Sequence, residues 1–310
     1  MKKQLLIAAV AATMTSVAMA DISIAGSAKV NYTNTDSVTE TADTNAFTTE
    51  INLGVTGKTG GSAVVVNLQT KDQANNDGFD IQDSYVTTSV GDVSIKAGAW
   101  RGSHNLLADG DSTTSSKFEA STAMGPVTVK FADVENGAES VTLSGTFSGV
   151  SVSHKMANTA AGNTDKTDTS ISGTFGGVTV AYRDIDEDNG TSNDDQSLQV
   201  STDVNGFGVT YASFEAGVGG SIDSDGALGD ISGHAASGVV LTTSLAGNAV
   251  KMAVIDNEAT EGAADTSITK FVVTRPLASG ATFEATYTDS DAPATASDTK
   301  TLDLELAVKF

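Results

Sequence analysis

Apolar and polar residues alternate with a period of two along most of the chain. Ile22, Ile24, Ala28, Val30 and Tyr32 interleave with Ser23, Ala25, Ser27, Lys29 and Asn31; Ile51, Leu53 and Val55 interleave with Glu50, Asn52 and Thr56. The same alternation recurs in VTVKF at 127–131, VTLSGTF at 141–147, VSVSHKM at 150–156 and VTVAY at 178–182. The closing TLDLELAVKF sets Leu302, Leu304, Leu306, Val308 and Phe310 against Asp303, Glu305, Ala307 and Lys309. Alternation of this kind predicts β-strands with one apolar and one polar face, and no stretch carries a helical period of comparable strength.

Two classes of connection separate these runs. One is short and centred on glycine: KTGG at 58–61, VGD at 90–92, MGP at 124–126, FSG at 147–149, FGG at 175–177, NGFG at 205–208, AGN at 246–248 and ASG at 279–281. The other is longer, polar and acidic, as in TNTDSVTETADTN, KDQANNDGFD, NTAAGNTDKTD and DIDEDNGTSNDD. The classes alternate, which places them on opposite rims of an up-and-down structure. Eight short turns with both termini on the short-turn side imply about 18 strands. Sixteen is the alternative, because the weak runs at 196–204 and 235–246 admit another assignment.

An all-β, closed, antiparallel transmembrane barrel explains both patterns. Such barrels face lipid with alternate side chains, enclose a polar lumen, and have short turns on one rim and long loops on the other. Closure satisfies every backbone donor and acceptor without water. A lumen rich in Ser, Thr and Asn reconciles a membrane protein with 39% hydrophobic residues and a mean hydropathy of −0.06. The aromatic residues agree. Phe147, Phe175, Phe207 and Phe310 fall near the short turns, whereas Tyr32, Phe47, Phe118, Tyr182, Tyr211 and Tyr287 fall toward the long loops, as two interfacial girdles would.

Composition adds the route and the compartment. MKKQLLIAAVAATMTSVAMA has Lys2 and Lys3, then a short apolar run, then Ala18-Met19-Ala20. That order predicts a signal peptide over residues 1–20, cleaved before Asp21, with the barrel domain spanning 21–310. The chain contains no cysteine, so no disulfide framework is available to the exported protein. Loss of Lys2 and Lys3 takes the formal charge from −22 to −24, a poor surface for nucleic acid.

Several features resemble Gram-negative general porins: the signal sequence, a mature start DISIAGSAKVNY, and a terminal phenylalanine closing an alternating strand. FDIQDSYVTTSVGDVSIKAGAWR at 79–101 is also similar to the strand, glycine turn and basic strand that precede the family's third external loop. The resemblance implies passive diffusion of small hydrophilic solutes and ions through a homotrimer of barrels in the outer membrane, in contact with lipid and lipopolysaccharide. It implies a third loop folded inward, with acidic residues facing basic ones on the wall. GSHNLLADGDSTTS after Arg101 occupies that place and carries Asp109 and Asp111, without the family's usual Pro and Phe. It further implies that Phe310 is a signal read by the outer-membrane assembly machinery.

Parity assigns the lumen residues. Lys29, Lys96, Lys117, Lys130, Lys155, Arg183 and Lys251 lie on the polar parity of their strands, as does Lys270. Glu50, Glu119, Asp203, Glu284, Asp303 and Glu305 share it, giving a lumen of mixed charge; charge must avoid lipid in any case. Arg101 falls on the opposite parity, at a loop junction. His154 falls on the lipid-facing parity.

Other chemistry is weakly represented. DIDEDNGTSNDD has Asn189 where a calcium loop of the EF-hand kind needs glycine, and no flanking helices, so it reads as a solvated loop, with a loosely held divalent ion bridging to lipopolysaccharide phosphates as the alternative; SIDSDGALGD at 221–230 reads the same way. His104, His154 and His234 are far apart and have no nucleophile at a recognisable spacing, so no catalytic group, metal site or cofactor is expected. A secreted β-rich adhesin is the alternative of another class, but the repeat has no fixed period. A substrate-selective channel would favour aromatic tracks or arginine ladders, and the chain has one tryptophan, Trp100.

Overall fold

The computed structural model describes residues 21–37, 44–70, 79–101, 114–135, 139–159, 164–187, 194–218, 222–224, 226–229, 231–292 and 298–310. The signal sequence and the residues Asp109 and Asp111 lie outside them.

The first half runs β1 (Asp21–Ser37), β2 (Thr44–Thr59), β3 (Ser62–Thr70), β4 (Phe79–Val90), β5 (Val93–Trp100), β6 (Ser115–Met124), β7 (Val127–Val134), β8 (Glu139–Phe147), β9 (Val150–Thr159) and β10 (Thr164–Phe175). The second half runs β11 (Val178–Glu187), β12 (Asp195–Val204), β13 (Phe207–Glu215), the short β14 (Ile222–Ser224) and β15 (Ile231–Gly233), then β16 (Ala235–Leu245), β17 (Asn248–Glu258), β18 (Thr266–Pro276), β19 (Ala281–Asp291) and β20 (Thr299–Lys309). Each strand of the main sheet pairs antiparallel with its sequence neighbours, β13 pairs with β16, and β20 pairs with β1. The result is a closed 18-stranded barrel, and β14–β15 form a separate two-stranded ribbon in the connection between β13 and β16. The runs at 196–204 and 235–246, which left 16 strands open, hold most of β12 and the whole of β16.

The tight turns follow from their residues. Ser148-Gly149, Gly176-Gly177, Asn205-Gly206 and Ala246-Gly247 each hold two consecutive positive φ values. That is the mirror-image geometry whose twist suits a two-residue hairpin. Asn205 and the glycines adopt it readily, whereas Ser148 and Ala246 do so at some cost.

Register then fixes which residues face where. Lys29 opposes Glu50, Lys96 opposes Glu119, Lys155 opposes Asp168, and Ser170 opposes Arg183, so the polar parity is continuous from strand to strand. On the opposite parity lie the exposed apolar side chains, including Ile24, Phe47, Val86, Met156, Leu241, Met252 and Leu306. Exposed apolar residues over a whole sheet face are the signature of a surface that meets lipid. Tyr32 and Phe47 stack within that face with ring centroids 4.8 Å apart.

Candidate functional site

The lumen wall carries its charges in cross-strand pairs. Lys29 Nζ on β1 lies 3.2 Å from Glu50 and 3.9 Å from Glu305, which flank it on β2 and β20. Lys130 on β7 reaches Glu119 on β6 at 3.3 Å. Lys166 reaches Glu187 at 2.6 Å, and Arg183 donates to Asp168 through both Nε at 2.9 Å and Nη2 at 2.7 Å. Arg183 and Asp168 are the most enclosed of these pairs, with side chains 12% and 20% exposed. Their bidentate geometry fixes two opposite charges at one place on the wall. Thr33 and Thr274 donate to Asp303 and Glu284 at 2.5 and 2.8 Å, so these acids are also held against the wall.

Lys96 is secured differently. Its Nζ stands 4.0 Å from the ring centroids of both Tyr85 and Trp100, and Lys117 Nζ stands 5.8 Å from Trp100. The two rings meet edge to face at 5.9 Å. A desolvated ammonium between aromatic faces gains about 2 kcal/mol or more from the ring quadrupoles. Gly98 makes the arrangement feasible: with φ of 141°, an added Cβ there would come 2.2 Å from Ser84 O and 2.6 Å from Tyr85 Cα. Trp100 is 7% exposed although its parity points inward.

Beyond Trp100 the third long connection begins, and β4 ties both of its described ends. Gln82 is an extra residue between the pairs Asn67–Asp83 and Leu68–Ile81, a bulge that breaks the register. Arg101 N donates to Asp83 Oδ1 at 3.0 Å, Asn67 Nδ2 donates to Asp83 Oδ2 at 2.7 Å, and Thr114 Oγ1 donates to the Gln82 carbonyl at 2.7 Å. Arg101 therefore sits at the junction, exposed, just past the end of β5. The bulge gives the connection a fixed exit and return.

The described residues of the seventh long connection, 216–234, pack onto the wall. Ile222, Leu228 and Ile231 are 4%, 1% and 6% exposed. They join Ala216 and Ala227 in one apolar cluster with Ile185, Phe214, Val240, Ala253, Ile255 and Ile268, all on the lumen parity of β11, β13, β16, β17 and β18. Ala216 N donates to the His234 carbonyl at 2.6 Å, His234 N donates to the Glu258 carbonyl at 2.8 Å, and Asn257 Nδ2 donates to the Ser232 carbonyl at 3.2 Å. Burying side chains of this size contributes about 1.5–3 kcal/mol each. The reading of SIDSDGALGD as a solvated loop is thus corrected: Ile222, Ala227 and Leu228 anchor it to the inner wall. A signal for this lay in β16 to β18, where Val240, Ala253, Ile255 and Ile268 place apolar residues on the parity that elsewhere is polar.

The remaining expected residues fall as follows. Lys155 lies on β9 opposite Asp168, and Lys251 and Lys270 lie diagonally across β17 and β18 on the same inner face. His154 points outward, and its Nδ1 lies 2.8 Å from Thr169 Oγ1. Asp184 and Asp186 are on the outward parity of β11, where Tyr182 donates to Asp184 at 3.2 Å. Residues 188–193 of that acidic run lie outside the described residues.

A family model for Gram-negative porins matches residues 7–309. The chain belongs to the Gram-negative porin family. Solved porins share the architecture of this one at low identity. Pseudomonas aeruginosa OpdL superimposes with a TM-score of 0.71 at 9% identity, over 94% of this chain and 99% of OpdL. OpdO from the same organism gives 0.67 at 13% identity, over 94% and 97%. A mutant of the Rh. blastica porin gives 0.60 at 11% identity, over 94% and 100%. No curated protein sequence matches the chain. Family and fold place this porin in the bacterial outer membrane as a barrel channel, with its exposed apolar face against lipid.

Proposed function

We propose that this porin is a passive diffusion channel for small hydrophilic solutes and ions, without catalytic activity. The observation that carries the reading is the mixed charge of the inner wall, held in the pairs Lys29–Glu50, Lys130–Glu119, Lys166–Glu187 and Arg183–Asp168. Fixed opposite charges keep a lumen hydrated and orient water and polar solutes without gripping any one of them. The single tryptophan, Trp100, is buried among Tyr85, Lys96 and Lys117, which withdraws it from a stacking track for sugars. One observation favours a second reading, a substrate-selective channel: Ala216, Ile222, Leu228 and Ile231 of the connection 216–234 pack onto the inner wall.

In the same proposal, residues 1–20 are a signal peptide removed before Asp21. The mature chain assembles as a homotrimer, meets lipopolysaccharide at its long loops, and presents Phe310 to the outer-membrane assembly machinery. Swelling of liposomes containing the porin, in sugars and amino acids of graded size, tests the diffusion reading. Rates that fall smoothly with size and stay linear in concentration support it; saturation by one solute would replace it with the selective reading.

A further inference from the structure

Four lumen cations named above have carboxylate partners, and Lys96 is held between two rings. Lys251 and Lys270 differ. Neither ammonium makes a hydrogen bond, an ion pair or a ring contact among the described residues. Lys251 opposes Val272 and Lys270 opposes Ala253, so the two are diagonal neighbours on adjacent strands, about 7–8 Å apart at the backbone. Each adds to the positive potential at the other. Glu284 is the carboxylate whose field reaches Lys251, and one of its oxygens already accepts the Thr274 hydroxyl at 2.8 Å.

These groups line one concavity of about 360 Å³ together with Thr242 and Thr286. That size falls within the range of small-ligand sites. Its position matters as much as its chemistry. A Cβ placed on Gly229 of the docked connection would lie 3.5 Å from Lys270 Nζ, so this ammonium stands at the edge of the docked segment.

We infer that Lys251 and Lys270 form a transient station for the oxyanion of a small solute, with Thr286 as a hydroxyl donor. Two flexible ammoniums are point charges with rotatable donors, so they accept a carboxylate or a phosphate without demanding one planar geometry. Glu284 decides between them. Attraction to the site grows in proportion to a solute's charge, whereas the cost of stripping its water grows with the square of that charge, so by weakening the attraction Glu284 leaves a monocarboxylate held better than hydrogen phosphate. Weak, exchangeable binding of this kind is what conduction through a pore tolerates.

The inference rests on the channel reading, and recordings from the full chain in planar bilayers test both separately. With chloride carrying the current, propionate is expected to reduce single-channel current saturably, and inorganic phosphate to require a several-fold higher concentration. In Lys251→Gln/Lys270→Gln the half-saturating propionate concentration rises tenfold or more. Lys251→Arg/Lys270→Arg retains the block, which separates loss of charge from loss of folding. Glu284→Gln brings the phosphate value toward that of propionate. Open-channel steps without saturable block by either anion, or a double glutamine variant that titrates like the parent, would overturn the station. Absence of steps in the parent would remove the channel reading, and the station with it.

Discussion

The ring of Phe310 lies across Gly26, and the two backbones bond in both directions: Phe310 N to Gly26 O at 2.9 Å, and Gly26 N to Phe310 O at 2.8 Å. This pair completes the seam between the last strand and the first. Because an added Cβ on residue 26 would come 2.6 Å from the ring and 2.8 Å from the Asn52 carbonyl, the position excludes a side chain. Gly26→Ala is expected to cost about 1–3 kcal/mol through overpacking. Thermal unfolding in detergent checks this, and a midpoint equal to the parent's would show that the ring moves aside freely.

Removing Phe310 altogether separates stability from assembly. The ladder from Lys309 to Thr299 against Ser27 to Ser37 remains, so the barrel is expected to persist in detergent. The amount reaching the outer membrane in cells should fall several-fold. Surface yield equal to the parent's would deny the residue an assembly role.

Gly98 holds open the space in which Tyr85, Lys96 and Trp100 meet. Gly98→Ala drives a Cβ against the backbone of Ser84 and Tyr85, where no rotamer change relieves it. A loss on the order of 2–3 kcal/mol is expected. Trp100 is the only tryptophan, so its fluorescence reports the site directly. Emission should shift to the red as the ring gains water, and an unchanged spectrum would contradict the packing described.

Leu228 is the most deeply buried of the described residues of the docked connection, at 1% exposure. Leu228→Asp buries an unpaired charge unless the segment leaves the wall, so local release is the cheaper response. The sheet ladder does not depend on this contact, so the barrel should stay closed, with a melting midpoint lowered only by the burial that is lost. Single-channel conductance should rise, and the size limit for uncharged solutes should increase with it. Unchanged conductance would mean that the segment does not narrow the route.

The architecture was legible because two independent patterns agreed. Period-two alternation gave the strands, and the alternation of short glycine turns with long acidic connections gave the count of 18. Parity also placed Lys29, Lys96, Lys130 and Arg183 on the inner face, since charge cannot face lipid. What parity cannot give is partner and depth. The bidentate Arg183–Asp168 pair and the stacking of Lys96 on Tyr85 and Trp100 depend on cross-strand register, which a single strand does not encode. The fate of residues 216–234 was hidden for another reason. All the charges in SIDSDGALGD are acidic, so its composition reads as solvated, while Ile222, Leu228 and Ile231, which decide the position of the connection, are spaced too widely to form a pattern. Only the apolar lumen positions of β16 to β18 hinted that something covers them.

The central claim is that the closed barrel encloses a continuous, water-filled, charged passage. Conductance of the purified porin in planar bilayers, with reversal potentials measured under a salt gradient, tests it most directly. The account predicts stepwise openings whose size scales with bulk salt conductivity, and a reversal potential that shifts when lumen lysines are neutralised. A membrane that stays silent at protein densities confirmed by labelling, or steps indifferent to those substitutions, would contradict it.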